Sequence, residues 1–255
     1  MFTFTLKKMK RFGLIGKSLT HSYSPSFFKD YFKKNNIEAI YELFHLDSID
    51  EILKIFEDDK IQGLNVTVPY KIEILPFLDE IDSTALEIGA VNVIAFKDKK
   101  KIGFNSDAFG FQQSIKPFLT NKHERALIIG TGGSSKAIEY VLKKIGIEII
   151  YISRNPNGRY KHYSYEEINE NMLNACKLIV NCTPIGTFPN IDECIEFPFK
   201  YLTEAHLVID LIYNPQKTKF LSEAEKNGAT ILNGESMLKE QALKSWEIWN
   251  QHIKS

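Results

Sequence analysis

Short apolar runs of β type alternate with amphipathic segments of helix type along almost the whole chain, and no other feature limits the fold so tightly. FGLIG (12–16) predicts a strand, SPSFFKDYFKKN (24–35) a helix, and IYELFHL (40–46) a strand. SIDEILKIFED (48–58) predicts a helix and GLNVTV (63–68) another strand. Strand then helix, repeated, is the pattern of a parallel α/β sheet. AVNVIAF and KIGFNSD flank the charged DKKK and predict a hairpin at the edge of that sheet. The pattern restarts after the polar TNKHE (120–124) with RALIIG (125–130) and the helix-type GTGGSSKAIEYVLKKIG. IEIIYIS (147–153), KLIVNC (177–182), HLVIDLIY (206–213) and ATILN (229–233) follow as strands. Their near-continuous apolar character suits a parallel sheet covered on both faces. GESMLKEQALKSWEIWNQ (234–251) is a long helix. The expected fold is therefore α/β in two domains, with a boundary near residue 106.

Composition narrows the partners. Lys plus Arg and Asp plus Glu both number 32, so no global charge draws the chain to nucleic acid or an anionic membrane. The opening MFTFTLKKMKR has no long apolar core and is not read as a signal peptide, and no apolar run reaches the length of a membrane span. Cys176, Cys182 and Cys194 form no CxxC pair, and the six histidines are scattered, so a reducing, cytoplasmic setting without a metal site is expected.

The segment GTGGSSKA places Gly130, Gly132 and Gly133 between a strand and a helix, with Ala137 where a third glycine often sits. Such glycines allow a tight turn and close backbone approach, and the helix N-terminus offers free N–H groups to a pyrophosphate. Glycine-rich turns also serve tight strand–helix packing alone, but here a strand precedes and a helix and second strand follow. At the end of that second strand an NAD site usually holds a carboxylate for the ribose 2′-hydroxyl. This chain has Ser153, Arg154 and Asn155 instead, with Arg159 and Lys161 close behind. A guanidinium suits a 2′-phosphate, so Arg154 points to NADP. Arg159 and Lys161 read equally well as a solvated basic loop.

HSYSPSF (21–27), NVTVPYK (65–71), GAVNVI (89–94), GFNSDAFGF (103–111), the GxGG loop, DLIYNP (210–215) and GESMLKEQA (234–242) occur in one order. Together, from about residue 12 to 250, they make the chain resemble the shikimate dehydrogenase family. The resemblance implies a substrate-binding domain over 1–106, joined by the C-terminal helix 234–255, and a Rossmann-type NADP domain over 107–233. It implies that Lys71 and Asp107 form a catalytic pair. It further implies that Ser22 and Ser24 bind a substrate carboxylate with Tyr213, and that Asn92 and Gln241 bind ring hydroxyls with Lys71 and Asp107. Asn65 and Thr67 join the substrate set, and Asn181, Thr183, Gly234 and Ser153 the cofactor set.

These residues also carry plainer readings. Ser24 before Pro25 is an ordinary helix start, a serine N-cap. Ser22 and Ser24, two apart in an extended stretch, would point the same way. Asn65 and Thr67 share one strand face while Val66 and Val68 face the core. Pro69 then opens a helix with Lys71 in its first turn, where the dipole opposes a charged ammonium. A lone lysine is most often a solvated surface charge, and Asp107 could simply cap the helix DAFGFQQSIK. Departures from the family are Ser106, where threonine is usual, Thr-Pro-Ile-Gly at 183–186, and the residues before Met9, which have no counterpart and offer Met9 as the start.

The expected reaction is reversible reduction of 3-dehydroshikimate to shikimate by a monomer or homodimer acting on a small molecule. A dual-cofactor quinate/shikimate dehydrogenase is the nearest alternative. A catalytically dead NADP-binding sensor would not need the full set of Lys71, Asp107, Asn92 and Gln241. Methylenetetrahydrofolate dehydrogenase does not suit the paired serines or the NSD segment.

Overall fold

The computed structural model describes residues 9–20, 22–156 and 161–252. The chain divides into two compact units, Met1–Ser106 with Ala242–Ser255, and Asp107–Gln241.

The first unit is built on β1 (Lys10–Gly16), α1 (Ser24–Lys34), β2 (Ala39–His45), α2 (Ile52–Phe56), β3 (Ile61–Val66), β4 (Glu80–Ile81), α3 (Ser83–Ile88), β5 (Val93–Lys97) and β6 (Lys100–Phe104). Its sheet runs β2-β1-β3-β5-β6-β4. β1 pairs in parallel with both β2 and β3, as the alternation predicts. β5 and β6 are antiparallel and make the sheet mixed. Asp98 and Lys99 both have left-handed φ, 50° and 67°, the geometry of a two-residue hairpin turn that follows strand twist. The hairpin is not the sheet's edge, because β4 pairs in parallel outside β6. Asp79 holds β4 there, its carboxylate accepting from the Lys101 backbone N–H at 2.7 Å.

Neighbouring residues on one strand face opposite layers. Val93 and Ala95 pack with Phe12, Phe28 and Trp249, whereas Ile94 packs with Ile15, Leu64 and Ile74. Trp249 is fully buried and donates its indole N–H to the Ile94 carbonyl at 3.0 Å. A Cβ on Gly63 would lie 2.3 Å from the Trp249 ring, so only glycine lets the tryptophan lie flat on the sheet.

The NVTVPYK segment differs from expectation. β3 ends at Val66, and Val68 is 67% exposed rather than in the core. Residues 68–74 form consecutive turns, not a helix. A 3₁₀ turn over Leu75–Phe77, with Pro76 inside it, follows, and the span left between Pro69 and that turn is too short to sustain a helix of its own. The SIDEILKIFED helix shortens likewise to α2 after a 3₁₀ turn over Ile49–Glu51.

The second unit contains α4 (Asp107–Ile115), β7 (Arg125–Ile129), α5 (Gly133–Lys144), β8 (Glu148–Ile152), β9 (His162–Tyr163), α6 (Glu170–Ala175), β10 (Leu178–Asn181), β11 (Leu207–Asp210), α7 (Lys219–Lys226) and β12 (Thr230–Leu232). The long helix α8 (Glu235–His252) has its first seven residues in this unit. All six strands are parallel, in the order β9-β8-β7-β10-β11-β12. Counted from β7, that is 3-2-1-4-5-6, the doubly wound order whose switch point lies between β7 and β10. Residues of β7 and β10 are almost wholly buried, which is why their sequences read as unbroken apolar runs. Among the described residues, no helix is long and apolar enough to cross a membrane.

Candidate active site

In the first unit, Lys71 lies in the turns after β3, its carbonyl accepting from the Val91 N–H at 2.8 Å. The residue is only 9% exposed, so the solvated-lysine reading fails. With no helix starting at Pro69, the expected opposition from a helix dipole also has no source here.

Ser24 departs from its expected role as a cap. Tyr23 already has helical backbone (φ −68°, ψ −39°), so Ser24 sits inside the first turn and no side chain caps the helix. Burial pushes the Tyr41 phenol well above its ordinary pKa, and Ser24 pulls the other way. Because Tyr23 is helical, the extended alternation that would align Ser22 with Ser24 does not apply. Ser22 is half-buried, its N–H donating to the Leu19 carbonyl. His21 of that motif lies outside the described residues.

Asn65 and Asn92 are buried together on adjoining strand ends. Asn65 donates one amide hydrogen to the Asn92 carbonyl at 3.1 Å and another to Ser245 Oγ at 2.9 Å, and its Oδ1 accepts from Tyr41. Its donors are therefore taken up by the protein. Asn92 is paired with Ser106 in both directions. Thr67 is half-buried just beyond β3, its methyl packed so close to Gly16 that a Cβ there would lie 2.6 Å away. Tyr41 and Ser245 escaped the sequence reading. Ser245 could have been noticed one helical turn after Gln241, while Tyr41 sits in an ordinary strand pattern.

In the second unit, Asp107 is the first residue of α4 and is 1% exposed. One turn on, a Cβ at Gly110 would meet the Met237 carbonyl at 2.7 Å and Gln241 at 3.0 Å. α4 and the start of α8 thus close on each other at a glycine, with Gln241 against the α4 face that carries Asp107. Tyr213 is half-buried in the loop after β11.

At the switch point Gly130 has φ +103°, and a Cβ there would press Thr183 Cγ2 at 3.1 Å. Both facts require glycine. Asn181, fully buried, accepts at Oδ1 from the Thr183 N–H (2.9 Å) and hydroxyl (2.8 Å). Its Nδ2 donates to Asp210 Oδ1 at 3.1 Å. Thr218 donates to Asp210 Oδ2 at 2.7 Å and Ile212 N–H to Oδ1 at 3.1 Å. Burial pushes the Asp210 carboxyl up to about 6, with the Thr218, Ile212 and Asn181 hydrogen bonds acting against it. Asp210 opens the DLIYNP motif, yet nothing in that motif announces a buried carboxylate. Gly234 is required by packing, since a Cβ there would lie 2.0 Å from the Leu211 carbonyl oxygen.

The residues at the start of α5 fit a dinucleotide phosphate. α5 has twelve residues, no acidic side chain in its first turn and no side-chain cap. Gly132 differs from Gly130, because a Cβ there meets nothing within 4 Å. The protein's own packing does not require that glycine, and the open space beside it leaves room for a ligand. Beyond β8, Arg154 is exposed and residues 153–156 hold no carboxylate. Ser153 Oγ pairs with His162 Nε2 at 2.7 Å, and Lys161 forms an ion pair with Glu148. Arg159 lies outside the described residues.

A six-stranded parallel sheet in this order, with a glycine turn and an uncapped helix at its switch point, defines the second unit as a Rossmann-type dinucleotide-binding fold. The sequence profile of the shikimate dehydrogenase substrate binding domain matches residues 14–94. A Clostridium botulinum protein named shikimate dehydrogenase (NADP(+)) is 43% identical over 246 residues, which cover 93% of this chain and 95% of the relative. A shikimate dehydrogenase solved in complex with NADP+ superposes with a TM-score of 0.85 at 33% identity, over 96% of this chain and 91% of that one. The Aquifex aeolicus shikimate dehydrogenase does so with a TM-score of 0.85 at 32% identity, over 97% and 95%. The chain belongs to the shikimate dehydrogenase family, and the two-domain α/β fold read from the sequence is borne out.

Proposed function

We propose that this chain is an NADP-dependent shikimate dehydrogenase, an oxidoreductase that reversibly reduces 3-dehydroshikimate to shikimate in aromatic amino acid biosynthesis. The observation that carries this reading is the burial of Lys71, a long cationic side chain that leaves water only with a partner or a task.

Bound NADPH supplies the hydride. Lys71 supplies the proton, its ammonium facing the oxygen on which negative charge develops; a lysine can both stabilise that charge and give up its proton, whereas an arginine cannot. Asp107 takes the second place in the catalytic pair that the family resemblance implies. Ser22 and Ser24 receive the substrate carboxylate with Tyr213, while Thr67, Asn92 and Gln241 take ring hydroxyls. On the cofactor side, the first turn of α5 would hold the pyrophosphate, Arg154 the 2′-phosphate, and the Asn181–Thr183 loop the nicotinamide end. The three cysteines are free thiols, in keeping with a cytoplasmic enzyme.

The test is an assay of the purified protein with shikimate or quinate and NADP or NAD, followed at the nicotinamide absorbance. Shikimate with NADP should give by far the highest kcat/KM. Preference for quinate or NAD would reassign the specificity, and no turnover with any pair would leave a binding protein on this fold.

A further inference from the structure

A run of polar side chains crosses the otherwise apolar core of the first unit. Tyr41 on β2 donates its phenol hydrogen to Asn65 Oδ1 at 2.8 Å. Asn65 on β3 passes its two amide hydrogens to the Asn92 carbonyl and to Ser245 on α8. Ser245 Oγ lies 3.2 Å from Ser106 Oγ, and Ser106 pairs with Asn92. Asn65, Asn92, Ser106 and Ser245 are 8%, 3%, 0% and 1% exposed.

The direction of the chain follows from counting hydrogens. Tyr41 has one, and it goes to Asn65 Oδ1, which leaves both Asn65 amide hydrogens for the Asn92 carbonyl and Ser245. The Asn65 amide cannot flip without opposing Tyr41 with a donor and leaving the Asn92 carbonyl and Ser245 without one. Buried polar groups joined in this way fix one another's orientation, because any break leaves a group unsatisfied out of water.

We propose that Tyr41 and Ser245 are positioning residues for substrate binding. They hold Asn65 and Asn92 in a single orientation before shikimate arrives, so that binding does not have to order them. The inference rests on the shikimate dehydrogenase reading above.

The experiment compares Tyr41→Phe, Ser245→Ala, the double variant and Ser245→Thr in shikimate KM, NADP KM, kcat and melting temperature. Each single removal should raise shikimate KM about fivefold, the loss expected for one neutral hydrogen bond. NADP KM and kcat should change less than about twofold, since neither chemistry nor cofactor uses the chain. The double variant should fall well short of the product of the singles, because the chain is broken once. Ser245→Thr, which restores a hydroxyl, should recover most of the loss. Unmoved shikimate KM in both singles, a multiplicative double, or a parallel decline of all constants with melting temperature would overturn the inference. If Tyr41→Phe does not fold, the KM and kcat of Ser245→Ala decide alone. An inactive wild type overturns the functional reading and this inference together; an active wild type with unmoved variants overturns this inference only.

Discussion

Asn92 and Ser106 form a reciprocal pair. The Ser106 backbone N–H donates to Asn92 Oδ1 at 2.7 Å, and Asn92 Nδ2 donates to Ser106 Oγ at 3.0 Å. The pair fixes which end of the Asn92 amide is donor and which acceptor, and its serine lies just beyond β6, one residue before Asp107. Asn92 is proposed to read a ring hydroxyl, so the serine sets what it can read.

Ser106→Ala removes the Oγ acceptor but keeps the backbone donor. Shikimate KM should rise by about two- to tenfold, the range for one neutral hydrogen bond, while NADP KM stays put. Ser106→Thr, the residue usual in the family, should stay within about twofold, because its hydroxyl replaces the serine's. Steady-state kinetics on both variants check this, and equal losses for Ala and Thr would mean that packing, not the hydroxyl, matters at 106.

Arg154 separates the two cofactors. It is exposed beyond β8 with no carboxylate beside it in sequence, and only NADP carries a 2′-phosphate. Arg154→Ala should weaken NADP about ten- to a hundredfold, the loss of a charge-assisted hydrogen bond, and NAD hardly at all. Titration of both cofactors by fluorescence measures it. Equal weakening would move Arg154 to the pyrophosphate or to the fold.

Asp210 gives the second unit a pH signature. Its folded carboxyl is pushed up to about 6 from 3.8 by burial, so the folded chain holds this proton more tightly than the unfolded chain. The stabilisation is complete below the unfolded value and is lost as pH rises through about 6. The difference corresponds to at most roughly 3 kcal/mol. In Asp210→Asn this slope should vanish, so the variant gains on the wild type between pH 4 and pH 7. Denaturant unfolding at several pH values checks it; parallel curves would show that Asp210 does not titrate in that window.

The sequence revealed what repeats and hid what is singular. β7 and β10 were legible because strands covered on both faces must be apolar throughout. β4 and β9, two residues each, are too short to carry any period. Pro69 looked like a helix start because the local rule for proline says nothing of how short the span is before the 3₁₀ turn at Leu75–Phe77. The glycines split by cause: Gly130 answers to left-handed backbone and to Thr183, Gly234 to the Leu211 backbone, and Gly132 to nothing in the chain itself. Sequence alone could not sort them. The polar chain from Tyr41 to Ser106 was invisible because it joins strands and a helix as far as 180 residues apart in sequence.

Lys71 carries the central claim, and Lys71→Met tests it most directly. Methionine keeps most of the stem's length and apolar packing, so the fold should survive, as circular dichroism and NADP binding near native would verify. The proton donor and the charge facing the developing alkoxide are lost. Single-turnover and steady-state measurement of shikimate oxidation with NADP should show kcat lower by at least about a hundredfold, the usual contribution of general acid–base catalysis. Shikimate affinity should fall less, because the serines, Asn92 and Gln241 remain. A folded Lys71→Met protein with native kcat would contradict the account, leaving Lys71 a buried structural lysine and the proton transfer to another group.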